Sequence, residues 1–163
     1  MIEENGIYSS RQPSPRKQFA GWIEGGGTDL IRVFVYGTLL VGESNHSVVA
    51  PYVLSVRPGR VRGTLFDAGA YPGLVLSGCG GETDVEGEWL VVTQEGLNRM
   101  DELEEYYGPG ARNDYERVWV RDSRREECEG WIYLWNEPRG YPRINGGSWR
   151  EYARRKQEHG SML

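Results

Sequence analysis

Cysteine and histidine are scarce in this chain, with two of each. Cys79 and Cys128 form no CxxC pair and have no histidine beside them, which argues against a structural zinc site and against a disulfide-framed scaffold. His159 lies in a polar tail and His46 in a loop, where capping or surface exposure accounts for it better than base chemistry. Positive charge is also in deficit. The formal net charge is −5, so the chain as a whole suggests neither nucleic acid nor an anionic membrane as partner. No apolar run approaches transmembrane length, and no signal-peptide apolar core lies near the start. There is no GxSxG elbow and no P-loop, and the Gly25-Gly26-Gly27 run precedes a strand instead of following one. The expectation is a cytoplasmic, metal-free protein, with nothing in the sequence to set its oligomeric state.

What is present is glycine and aromatic side chains. A chain of 163 residues suggests one domain and is long enough to bury a core. Twenty-three glycines and eight prolines among short apolar runs, with six Trp and ten Tyr, predict many turns and a β-rich α+β fold. Residues 1–30 are polar and without periodicity, and read as an N-terminal extension docked in part through Tyr8, Phe19 or Trp22. The domain itself is expected to run from 31 to 163.

Ile31 to Val35 has the length and β-branched composition of a buried strand, and it stops at Tyr36-Gly37-Thr38-Leu39. A glycine turn at a strand end is either a plain exit or a cradle whose backbone N–H groups meet a small anion. Val48, Val49, Tyr52 and Val53 recur at helical spacing behind the N-cap candidates Ser44 and Asn45, with Pro51 limiting the helix. Strands are predicted over Arg60–Asp67, Leu74–Leu76, Val85–Val92, Tyr115–Val120 and Trp131–Trp135, with a turn at Tyr71-Pro72-Gly73-Leu74. A short final helix begins at Trp149, after the Asn145–Ser148 turn.

Between these strands the period changes to 3.6, and Thr93 to Tyr107 reads as a helix closed by Gly108 and Pro109. With Leu97 at zero on a helical wheel, Met100, Leu103 and Tyr107 fall at about 300°, 240° and 280°. Glu104 falls at about 340°, on the apolar face, whereas Glu102 and Glu105 fall at about 140° and 80°, toward solvent. A carboxylate on an apolar face is desolvated, which raises its pKa and suits it to act as a base near neutral pH. The alternative is a structural ion pair, with Arg117 or a tyrosine as partner.

Two separated features together resemble the γ-glutamylcyclotransferase-like superfamily, of AIG2-like or γ-glutamylamine cyclotransferase type. They are Val35-Tyr36-Gly37-Thr38-Leu39 and Met100-Asp101-Glu102-Leu103-Glu104, the latter similar to a Leu-Asp-x-x-Glu helix with Met in place of Leu. Gly63–Phe66, Tyr71–Leu74, Glu86–Trp89, Tyr115–Arg117, Ile132-Tyr133 and Gly147–Trp149 follow in the family's order. Glu105 stands where many relatives have Gly. The resemblance implies a small mixed β-barrel flanked by short helices. It implies that Tyr36, Gly37, Thr38 and Leu39 bind substrate and that Glu104 is the general base, with Tyr115 and Tyr133 as candidates for the pocket wall. The implied reaction turns a γ-glutamyl amine or related amide into 5-oxoproline and free amine, without metal or cofactor. A binding module that uses the same pocket for an amino-acid-like ligand without turnover, and a partner-binding role for the N-terminal arm, are the competing possibilities.

Overall fold

The computed structural model describes residues 30–161. The expected N-terminal extension therefore lies outside the described residues. In chain order the elements are β1 (Ile31–Val35), α1 (His46–Val49), a 3-10 turn (Ala50–Tyr52), β2 (Val53–Asp67), β3 (Pro72–Val75) and β4 (Thr83–Val92). They are followed by α2 (Gln94–Leu103), β5 (Glu116–Arg121), β6 (Glu129–Leu134), β7 (Arg143–Ile144) and α3 (Trp149–Ser161). This is the α+β class predicted.

The strands form one sheet in the order β3-β2-β4-β1-β6-β5, with β7 also paired to β2. β1 sits inside it, antiparallel to β4 through Val33↔Leu90 and parallel to β6 through Val33↔Trp131. Both faces of β1 are covered: Ile31, Val33 and Val35 join one core cluster, and Phe34 joins the other. A strand buried on both faces has little polar surface to show, and apart from the half-buried Arg32 this one is apolar throughout.

β2 leaves the main sheet part-way along. It pairs with β4 from Val53 to Gly63, then with β3 from Thr64 to Asp67. A backbone hydrogen bond from Trp135 N–H to Leu74 O (2.9 Å) ties β3 to the chain just beyond β6. The sheet thus curls strongly, yet β3 and β5 remain its edges. "Barrel" describes this curl only loosely, because no continuous ladder closes it among the described residues. The expected turn at Tyr71–Leu74 lies a few residues earlier, and Pro72-Gly73 already belong to β3. The turn is made instead by Asp67 Oδ1 accepting the Gly69 N–H (2.7 Å), with Gly69 at φ 102°.

α2 starts as predicted, with Thr93 Oγ1 accepting the Gly96 N–H (3.2 Å), but it ends at Leu103 rather than Tyr107. The Glu105 N–H bonds to Glu102 O (3.3 Å) and the Tyr106 N–H to Asp101 O (2.9 Å), a Schellman closure with Glu105 in the left-handed region at φ 53°. Glycine usually fills that position, so its absence hid the helix end. Once the helical phase breaks, Tyr106 and not Tyr107 enters the core, with exposures of 6 % and 68 %.

Candidate active site

The chain leaves β1 through a turn in which the carbonyls of Gly37, Thr38 and Leu39 are engaged. Gly37 O accepts the Leu40 N–H (3.1 Å), Thr38 O accepts the Asn45 N–H (2.8 Å), and Leu39 O lies 2.8 Å from His46 Nδ1, which donates to it. Asn45 is the N-cap residue of α1, but its side chain does not cap; Nδ2 donates to Thr38 Oγ1 at 2.9 Å. The N–H groups of Gly37, Thr38 and Leu39 donate to nothing among the described residues. A turn with satisfied carbonyls and unused N–H groups presents partial positive charge. Gly37 is required by close approach and not by an unusual φ: a Cβ there would lie 2.6 Å from Pro72 Cγ and 2.8 Å from Pro72 Cδ.

Glu104 closes α2, its N–H bonded to Met100 O (2.9 Å). Its carboxylate has no hydrogen bond or ion pair among the described residues. Burial, with the Asp114 carboxylate as a smaller contribution, pushes its pKa up to about 7. The residue as a whole is only half-buried, so the carboxyl is desolvated and still reachable. The C-terminal end of a helix, where carbonyl oxygens gather, also disfavours negative charge.

Arg117, the partner considered for Glu104, is committed elsewhere. Its Nη1 binds Asp101 Oδ2 at 2.7 Å, and its guanidinium lies over the rings of Tyr106 (4.8 Å) and Trp131 (4.7 Å). The tyrosines are committed too. Tyr133 OH donates to Asp101 Oδ1 (2.5 Å), Tyr115 OH to Pro72 O (2.7 Å) and Tyr36 OH to Tyr133 O (2.7 Å). Burial pushes all three phenols up, followed by Tyr115 and then Glu104 at Tyr36, by Glu104 at Tyr115 and by Asp101 at Tyr133. Of the two carboxylates on the inner side of α2, Asp101 is thus saturated and Glu104 is not.

These residues meet at one cavity of about 270 Å³, with Tyr36 to Leu39 on one wall and Glu104, Tyr115 and Tyr133 also lining it. Two backbone bonds place Tyr115 there: the Asp114 N–H donates to Glu105 O (3.0 Å) and the Tyr115 N–H to Glu104 O (3.2 Å), laying that segment along the helix end. Asn45, Tyr71, Pro72, Glu105 and Asp114 line it as well. Sequence reasoning missed them as pocket residues. Asn45 carried only a capping signal, Tyr71 and Pro72 carried a turn signal and a place among the family-like segments but no pocket role, and Asp114 lies in a loop without periodicity. A larger groove of about 930 Å³ runs beside α3, and most charges along it are paired, as in Arg150 with Glu43 (3.4 Å) and Arg60 with Glu86 (3.4 Å). Among the described residues no three His, Cys, Asp or Glu side chains group as metal ligands, and no helix is long and apolar enough to cross a membrane.

Comparison with known proteins gives this cavity its context. Residues 33–151 match the family model described as gamma-glutamyl cyclotransferase, AIG2-like. A gamma-L-glutamyl-butirosin B gamma-glutamyl cyclotransferase from Niallia circulans is 40 % identical over 124 residues, covering 74 % of this chain and 76 % of that protein. A putative gamma-glutamylcyclotransferase from Vibrio cholerae is 34 % identical over 119 residues, covering 72 % and 93 %. In fold, an uncharacterized Pyrococcus horikoshii protein superposes with a TM-score of 0.57 at 22 % identity, over 79 % of this chain and 98 % of that one. The matched span holds both the β1 turn and the end of α2, and the chain belongs to the AIG2-like γ-glutamyl cyclotransferase family of enzymes.

Proposed function

We propose that the protein converts a γ-glutamyl amine or related γ-glutamyl amide to 5-oxoproline and free amine, with Glu104 as general base. The observation that carries this is the unpaired Glu104 carboxylate, titrating near neutral pH in the same small cavity as the unused N–H groups of Gly37 to Leu39. The relative from Niallia circulans, named as a γ-glutamyl cyclotransferase of a γ-glutamyl compound, supports the reaction class.

The α-ammonium of the substrate gives a proton to Glu104, which leaves a nucleophilic amine. That nitrogen attacks the γ-carbonyl carbon of the same molecule, forming the ring C–N bond and an oxyanion. The oxyanion collapses and breaks the bond to the leaving nitrogen. Two protons pass from the α-nitrogen to the leaving nitrogen, so Glu104 ends as it began and the leaving group departs as an ammonium. The Gly37–Leu39 N–H groups are suited to hold the α-carboxylate or the developing oxyanion. Nucleophile and electrophile share one molecule, so confining the bent conformer replaces a bimolecular encounter. Tyr36, Tyr115 and Tyr133 form walls, and their hydroxyls are already donated elsewhere.

The test is 5-oxoproline release from a panel of chemically distinct γ-glutamyl amides. Glu104→Gln should lower kcat/KM at least about a hundredfold, the usual scale for a positioned base, and the variant should stay folded. Failure of every panel member, or full activity in the variant, would sink the mechanism.

A further inference from the structure

The charges around the cavity do not balance for a γ-glutamyl group alone. Glu104, Glu105 and Asp114 line it, whereas no Lys, Arg or His among the described residues does. Asp114 is neutralised from outside, because Arg139 Nη1 meets its Oδ1 at 2.9 Å while the guanidinium lies over the Trp135 ring at 4.4 Å. Two carboxylates remain without a partner among the described residues, those of Glu104 and Glu105. A γ-glutamyl head group brings one ammonium and one carboxylate. If the β1 turn takes the carboxylate and Glu104 the ammonium, Glu105 is left over.

Glu105 is also the only non-glycine residue at positive φ among the described residues, at a helix-closing position that glycine fills with less strain. Beside it in the lining are Tyr115, whose hydroxyl is bound to Pro72 O, and Tyr71, 40 % exposed, with ring centroids 6.3 Å apart. Glu105 is solvent-exposed, and a carboxylate sharing one cavity with two aromatic rings offers the groups that hold an organic cation. Arg139, between Asp114 and Trp135, shows the same combination within the protein itself.

From this geometry we infer that Glu105, with Tyr71 and Tyr115, forms a leaving-group subsite selecting amines that carry a second positive charge. The inference rests on the proposed cyclisation, which supplies the leaving amine. Three γ-glutamyl amides of similar reach test it: one of 1,4-diaminobutane (cationic), one of pentylamine (neutral) and one of 4-aminobutanoate (anionic). The expected order of kcat/KM is cationic, neutral, anionic, with the first two separated by about tenfold, or about 1.4 kcal/mol. In Glu105→Gln and Glu105→Gly that ratio should fall toward one, and the glycine variant suits the left-handed position, so it folds. The wild-type ratio should also shrink as salt is raised. Calorimetric affinities of the three amides for the Glu104→Gln protein read the subsite without turnover and should follow the same order. Equal affinities for the cationic and neutral amides, or a cation preference intact in both Glu105 variants, would overturn the subsite. Absence of 5-oxoproline from every amide would instead overturn the cyclisation, leaving calorimetry to decide the subsite.

Discussion

Glu104→Gln should stabilise the protein above neutral pH. Folding raises the pKa of this carboxyl from 4.5 to about 7, chiefly because burial strips water from the charged form. Each pKa unit corresponds to about 1.4 kcal/mol, so holding the ionised group in the folded protein costs about 3 kcal/mol as an upper figure. Partial contact with water discounts this to about 1–3 kcal/mol. The sign follows from proton counting. With the folded pKa above the unfolded one, the folded state binds more protons between 4.5 and about 7, and its stability falls as pH rises through that window. Glutamine has nearly the same shape and does not titrate, so it lacks this loss. Urea unfolding of both proteins at about pH 5 and about pH 8.5 isolates the effect, since other titrating groups cancel in the comparison. The variant should gain about 1–3 kcal/mol on the wild type between those two pH values, or a few degrees of Tm. Parallel pH dependences would show that Glu104 is not desolvated, and the case for it as a base poised near pH 7 would fail.

Other perturbations follow from the same contacts. Gly37→Ala places a methyl 2.6 Å from Pro72 Cγ, so the turn or β3 must shift; a stability loss of about 1–3 kcal/mol by denaturant unfolding is expected, with a larger loss in kcat/KM. Unchanged kinetics would argue against the turn as a substrate cradle. Asp101→Asn leaves the stacked Arg117 without its carboxylate partner and should destabilise by about 3 kcal/mol in chemical denaturation. A neutral result would mean the pair contributes little to holding the end of α2.

The parts of the site carried by periodic elements were readable from sequence. Ile31–Val35 announced a buried strand, and the 3.6-residue stripe through Leu97 and Met100 placed Glu104 on the inner face. Its true position, the last residue before a left-handed cap, was not readable, because Glu105 occupies a conformation that sequence signals assign to glycine or asparagine. The first half of β2 was missed for a different reason. Leu54 to Gly59 is largely exposed and includes Arg57-Pro58-Gly59, so no alternation marks it as a strand, although it pairs with β4 from Ser55 onward, past a bulge at Leu54. Tyr71 and Asp114 reach the cavity only through backbone bonds among loops, which leave no pattern in the sequence.

The central claim is that Glu104 is the base, and its most direct test is the pH dependence of kcat/KM for 5-oxoproline formation. A base that must be ionised gives a rate that rises with pH and levels off, with the midpoint at the pKa of the free enzyme. The account predicts a wild-type limb centred near the value of about 7 held by Glu104, and a Glu104→Gln protein without that limb and at least about a hundredfold slower. A limb that survives in Glu104→Gln, or a wild-type rate flat between about pH 5 and about pH 8, would contradict it.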